Sequence, residues 1–286
     1  MMRPIRWVGE LLSNRRVGSY QLVTVAAPGL AERLRPGQFV AVAVGGRLSS
    51  VLPRRCFSIY ATRPQGLYAG TAQFVLDVTG VGTGWLADMP VGGRLDLIGP
   101  LGSPFLLSDE PMRAVLVGEE HSSAALLPLA DALHAQDCSV EFVLVAPTAD
   151  RIFGELEAKR TGAAVTVTTE HSRALAEQTL AEVLDEALER GPADVLYASG
   201  SLGTLAEVAA AGSVRHVPCQ VAVEVPMACA TGLCAGCVLP VADDDGVTRM
   251  LRSCVDGPVF FANRVRWDHV GRVPADCPGA GAMGVG

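Results

Sequence analysis

Four cysteines near the C-terminus restrict this chain more than any other feature. Cys229, Cys234 and Cys237 follow a C-x4-C-x2-C spacing, and Cys254 comes after sixteen further residues. Thiolates at this spacing ligate a [2Fe–2S] cluster, two to each iron. The intervening Ala230, Thr231, Gly232, Leu233, Ala235 and Gly236 are mostly small. Such residues let a short loop bring three sulfurs to one point and let backbone N–H groups approach the cluster, which helps to set its potential. The fourth ligand is expected from a separate strand. A chain with this pattern moves single electrons.

Other uses of the cysteines fit less well. Structural zinc sites favour paired C-x2-C knuckles or added histidines. Disulfides need an oxidising compartment, and Met1 to Leu12 contains no apolar secretion core. The reading therefore places the protein in the cytoplasm. Cys138 reads as a packing residue, and Cys219 and Cys277 have no spaced partners. The five histidines show no metal or catalytic spacing, and no hydrolase triad or HExxH motif is present, so no side chain is assigned a catalytic role.

At 286 residues the chain is long enough for two or three domains. Hydrophobic residues make up 49%, and aromatics only 5%, so aliphatic side chains fill the cores. The net charge of −7 comes without a basic cluster, which argues against a nucleic-acid partner. Every apolar stretch is interrupted before it reaches the length of a membrane span.

Residues 1–107 read as all-β. Short strands are expected at Tyr20–Val25, Gln38–Val44, Arg55–Ala61, Ala72–Val78 and Arg94–Leu97, with Gly and Pro pairs between them, as in a small antiparallel barrel. Residues 108–215 alternate strands with helices. Strands fall at Arg113–Val117, Val140–Ala146, Ala163–Thr168 and Val195–Ala198, and helices at Ser122–Gln136, Ile152–Arg160, Leu175–Arg190 and Gly203–Ala210. That alternation predicts an α/β doubly wound parallel sheet, a nucleotide-binding type. Residues 216–270 form the cysteine segment, and 271–286, rich in Gly, Ala and Pro, read as a disordered tail.

Two stretches of the barrel suggest a phosphate-bearing ligand. In Arg54-Arg55-Cys56-Phe57-Ser58-Ile59, an arginine and a serine on one strand are expected to share a face and to hold the same ligand. Downstream, Gly80-Val81-Gly82-Thr83-Gly84 opens a short helix and offers N–H groups to a diphosphate.

With these motifs in this order, the chain resembles the electron-transfer subunit of bacterial dihydroorotate dehydrogenase, in the ferredoxin–NADP reductase superfamily. The resemblance covers roughly residues 5–270. It is carried by Arg55 to Ile59, Gly82-Thr83, Leu97 to Gly102, Glu224 to Cys237 and Cys254 to Phe260. It implies FAD on the barrel. Arg55, Cys56, Phe57 and Ser58 would lie at the isoalloxazine and diphosphate, Val75, Leu76 and Asp77 at the adenosine side, and Gly82 with Thr83 at the diphosphate. The resemblance makes Cys229, Cys234, Cys237 and Cys254 the cluster ligands. It implies electron flow from NADH through FAD and the cluster to an FMN-dependent catalytic subunit of pyrimidine biosynthesis, within a hetero-oligomer.

The chain departs from the family where NAD(P)H is expected. The glycine-rich loop of relatives reads here Val117-Gly118-Glu119-Glu120-His121-Ser122-Ser123-Ala124, with two carboxylates where a pyrophosphate would approach. Two further family motifs read here Glu170-His171-Ser172-Arg173 and Ser199-Gly200-Ser201. NAD(P)H binding is therefore expected to be weak or lost. Two rival functions stand beside the first: an NAD(P)H-dependent reductase feeding another oxidoreductase, and a degenerate adaptor that keeps only the cluster.

Overall fold

The computed structural model describes residues 3–46, 49–64, 66, 68–176 and 178–283. The N-terminal strands are β1 (Ile5–Val17), β2 (Tyr20–Ala26), β3 (Phe39–Val42), β4 (Arg55–Arg63), β5 (Thr71–Leu76) and β6 (Arg94–Leu101). They close a barrel in the order β1-β2-β5-β4-β3-β6, with every pairing antiparallel. Closure removes the free edges that an open sheet of this length would expose. The interior is aliphatic apart from Phe57 and Phe74, which stack at 4.8 Å. Helix α1 (Val81–Ala87) lies between β5 and β6 and buries Leu86 against the barrel core.

The sequence reading missed β1, the longest strand. Its run IRWVGELLSNRRV does not alternate cleanly, and the register slips between Leu11 and Ser13 where it bends to pair with both β2 and β6. A bulge breaks the two-residue period on which strand recognition depends.

The second unit is built on a six-stranded sheet. Its strands are β7 (Arg113–Glu119), β8 (Ser139–Ala146), β9 (Ala164–Thr169), β10 (Val195–Gly200) and β11 (Cys219–Val223), with β14 (Val259–Phe261) at one edge. The order is β14-β11-β10-β7-β8-β9, parallel except for β14. Strands β7 and β10 are buried along nearly their whole length, as a doubly covered parallel sheet requires. The crossover helices are α2 (Leu127–His134), α3 (Glu155–Arg160), α4 (Glu170–Leu175), α5 (Leu180–Glu189) and α6 (Leu202–Val214).

Two expected helices take a different form. The run after β7 begins as a 3-10 turn over Glu120–Leu126 before becoming α2 at Leu127. The run expected at Leu175–Arg190 is two helices. Thr179 caps the second by accepting the Glu182 N–H at 3.2 Å, and a capping threonine begins a helix rather than continuing one.

The C-terminal segment adds β12 (Val238–Ala242) and β13 (Thr248–Arg252), an antiparallel pair, before β14 joins the large sheet. The expected disordered tail is ordered through Met283. Asp276 accepts the Thr248 N–H at 3.0 Å and its hydroxyl at 2.7 Å, and Cys277 and Ala280 are buried. Glycine and proline here shape turns that fold back on β13. Residues 284–286 lie outside the described residues. Among the described residues no helix is long and apolar enough to cross a membrane.

Candidate functional site

A cavity of about 710 Å³ runs between barrel, parallel sheet and cysteine segment. Its barrel wall includes Arg55, Cys56, Phe57, Ser58, Val75, Leu76, Asp77 and Thr83. Its far wall includes Met227, Ala228 and Gly236 of the cysteine loop, and His121 and Glu224 lie between. Two motifs about 170 positions apart in the chain thus border one space.

The expected sharing of a face by arginine and serine needs correction. Side chains alternate along a strand, so Ser58 shares a side with Cys56 and Arg54, and Arg55 belongs to the opposite parity. Arg54 is tied to Asp96 at 3.1 Å and to the Asp96 carbonyl at 2.9 Å. Arg55 forms no salt bridge among the described residues, and donates only to the Pro53 carbonyl at 2.8 Å. It stands at the first position of β4, where it lies against the start of α1. A Cβ at Gly82 would come within 3.0 Å of the Arg55 guanidinium. Glycine at 82 is therefore what lets the cation rest beside the glycine turn. Thr83 stabilises that turn by accepting the Thr79 and Gly80 N–H groups at 3.1 and 3.2 Å. Phe57 borders the cavity, but its ring belongs to the barrel core on Phe74.

Three of the cysteines lie in the loop 229–237, and Cys254 lies in the turn after β13. The loop turns through left-handed positions at Ala230, Gly232 and Ala235 (φ 60, 81 and 52°). These turns aim N–H groups at sulfur: Thr231 and Cys234 each donate to Cys229 Sγ at 3.5 Å, and Gly236 donates to Cys234 Sγ at 3.4 Å. Those N–H groups, that of Cys234 foremost, pull the Cys229 thiol down to about 6. Burial first, and then neighbouring Cys237, push the Cys254 thiol up to about 12. Cys237 and Cys254 are buried, while Cys234 is exposed beside Leu233, which is 87% exposed.

Among the described residues no three of these sulfurs lie within 4.8 Å of one another. A single tetrahedral ion at about 2.3 Å from each sulfur would need all its ligands closer than that. The described sulfurs therefore do not form a single-ion site, and the expectation of three sulfurs at one point is not met. Cys254 comes from the turn after β13, not from a strand.

Sequence reasoning missed the wall that joins the two halves. Phe39, Ala41 and Leu101 of the barrel pack with Ala230, Cys237 and Cys254, and Cys56 and Ile98 lean on the same cluster. Cys56 is pushed up to about 12, by burial and then by Cys254, Cys237 and Cys229. The fifth cysteine thus faces the cysteine loop from the flavin-type strand.

The loop after β7 supplies a further group. His121 Nε2 lies 3.4 Å from Glu224 Oε1, and the Ser122 hydroxyl donates to Glu224 Oε2. Burial draws the His121 pKa down, but the hydrogen bond and charge of Glu224 outweigh it and leave it raised. Asp77, Glu120 and His121 bring ligand atoms within 4.8 Å of one another. Arg151 already answers the two carboxylates, at 2.6 Å from each. No sequence signal could have paired Asp77 with Arg151, because the contact crosses from barrel to parallel sheet.

Comparison with known proteins agrees with this geometry. Residues 224–266 match the family model described as the iron–sulfur cluster binding domain of dihydroorotate dehydrogenase B. A relative from Methanopyrus kandleri, a probable dihydroorotate dehydrogenase B (NAD(+)) electron transfer subunit, is 29% identical over 94% of this chain and 95% of its own. The corresponding subunit from Caldanaerobacter subterraneus subsp. tengcongensis is 30% identical over 91% of this chain and 99% of its own. Among solved structures, a chain of an NADH-dependent reduced ferredoxin-NADP oxidoreductase superposes with a TM-score of 0.78 at 25% identity, covering 92% and 91% of the two chains. The ferredoxin reductase of carbazole 1,9a-dioxygenase shares the fold at a TM-score of 0.59 and 20% identity, covering 75% and 66%. With a barrel, a doubly wound sheet and a cysteine segment in the same order, and matches running nearly end to end, the chain belongs to the family of dihydroorotate dehydrogenase B electron transfer subunits.

Proposed function

We propose that this protein carries electrons between FAD on its barrel and a [2Fe–2S] cluster in its C-terminal segment, in service of an FMN-dependent dihydroorotate dehydrogenase catalytic subunit. The observation that carries the reading is the shared cavity, bordered by β4 on one side and the cysteine loop on the other. We assign 1–107 to the flavin, 108–215 to the parallel-sheet unit and 216–270 to the cluster. Cys229, Cys234, Cys237 and Cys254 are the assigned ligands. Arg55, Cys56, Ser58, Val75, Leu76, Asp77, Gly82 and Thr83 are assigned to FAD, with Phe57 supporting them from within the barrel.

FAD supplies an adaptor between two-electron and one-electron chemistry. The protein's part is placement and charge. Arg55, without a carboxylate partner among the described residues, is available to a diphosphate beside the α1 turn. Cys56 and Ser58 would hold the flavin ring, and Met227, Ala228 and Gly236 border the same cavity from the cysteine segment. The N–H groups of Thr231, Cys234 and Gly236 offset thiolate charge.

Anaerobic purification tests the reading. One FAD and two irons per chain are expected. Mixed with its catalytic subunit, the cluster is expected to be reduced by dihydroorotate, seen as a low-temperature paramagnetic signal. A preparation with neither flavin nor iron, or a cluster that stays oxidised in the assembled complex, overturns it.

A further inference from the structure

In doubly wound sheets ligands bind outside the carboxyl ends of the strands where the strand order reverses, and helix N-terminal N–H groups hold their anionic parts. Here the reversal falls between β7 and β10. Glu119 ends β7 and Gly200 ends β10. The Glu119 carboxylate spans the gap between them. One oxygen accepts the Ser201 N–H at 2.6 Å, and the other accepts the Thr204 hydroxyl at 2.8 Å. Both donors belong to the start of α6, a helix of 13 residues. The approach is close by construction, since a Cβ at Gly200 would stand 2.8 Å from Glu119 Cβ and from Glu119 Oε2. The positive end of α6 therefore already holds a fixed negative charge.

The neighbouring turn is closed in the same manner. Glu120 adopts a left-handed backbone (φ 48°) and bonds Arg151 through both oxygens, at 2.6 and 2.9 Å. Arg151 reaches on to Asp77 of the barrel at 2.6 Å. The Ser123 hydroxyl lies 2.7 Å from the Glu120 carbonyl and 2.9 Å from the Phe153 carbonyl. Gly118 serves packing, because a Cβ there would meet Ser123 Cβ at 2.5 Å. Among the described residues no glycine-lined anion cradle is left at the switch point.

We infer that this chain fills its own dinucleotide crevice with Glu119 and exchanges electrons with neither NAD(H) nor NADP(H), unlike the NAD(+) subunits it resembles. The consequence for electron flow rests on the function proposed above; the binding statement does not. A pyrophosphate entering at the switch point meets a carboxylate that holds both donors, with a second carboxylate and its arginine on the adjacent turn.

Calorimetric titration of the full chain with NADH and NADPH, beside anaerobic mixing followed by flavin absorbance, tests this. Dithionite, which needs no binding site, serves as the positive control for a reducible flavin. Wild type is expected to bind either nucleotide no tighter than millimolar and to keep its flavin oxidised, while dithionite bleaches it. Glu119→Ala frees the α6 donors and is expected to tighten NADH binding about tenfold. Glu119→Gln, which keeps the shape and removes the charge, is expected to move the same way and covers a failure of the alanine variant to fold. Micromolar binding or rapid bleaching of wild type overturns the inference, and so does unchanged weak binding in folded variants. A preparation without flavin or iron sinks the electron-transfer reading instead, and calorimetry still decides this one.

Discussion

The cysteine loop and the start of α6 both gather backbone N–H groups at one point, and they use them differently. In the loop, N–H groups of Thr231, Cys234 and Gly236 turn toward the sulfurs of Cys229 and Cys234, which the proposed function assigns to the cluster. At α6, the Ser201 N–H and the Thr204 hydroxyl are satisfied by Glu119 of the same chain. On the function proposed above, the first arrangement is completed by metal, while the second is complete already. The same local chemistry can therefore open a site or seal one, and the difference lies in whether the anion is built into the sequence.

Substitution at the metal-dependent end should have the largest effect. Cys237→Ser is expected to reduce iron from two per chain to almost none, measured by elemental analysis, and to leave nucleotide binding where it was. Retained full iron would remove Cys237 from the ligand set. At the sealed end, Arg151→Ala removes the counter-charge of Asp77 and Glu120 together. A cost of roughly 1–3 kcal/mol in chemical denaturation is expected, because two partly buried carboxylates lose their partner. No loss would mean that water answers both carboxylates equally well.

Iron removal should separate the two regions without mutation. Amide exchange at Thr231, Cys234 and Gly236 is expected to speed up by about tenfold or more, while Ser201 and Thr204 keep their rates. Equal acceleration at both would show that the sealed site depends on metal after all.

The smallest effect concerns a pair that borders the shared cavity, His121 and Glu224. His121 is raised above its ordinary 6.5, so its share of stability is present below that value and fades as pH rises through the shifted one. Glu224 is lowered from 4.5, burial being outweighed by His121 and Ser122, so its share is present above 4.5 and fades as pH falls through its shifted value. The pair is strongest between about pH 4.5 and 6.5. The partly exposed contact contributes under about 1 kcal/mol. His121→Gln should lower the melting temperature most inside that window, and a pH-independent loss would point to packing alone.

What the sequence revealed follows the range of each interaction. The cysteine spacing is legible because its geometry is set within nine residues, and β7 because a continuous apolar run needs no distant partner. The carboxylates at 119 and 120 announce a lost anion loop, yet their new partners are 82 and 31 positions away, at Ser201 and Arg151. Strand β1 escaped notice because its bulge breaks the period. β14 escaped because three residues carry no pattern, and only its pairing with β11 defines it.

The bare tip of the cysteine loop, Cys234 with Leu233 projecting into solvent, has a kinetic consequence. A charge leaving there crosses no protein of this chain's own. On the function proposed above, its rate of escape depends on how closely another surface can be pressed against that tip.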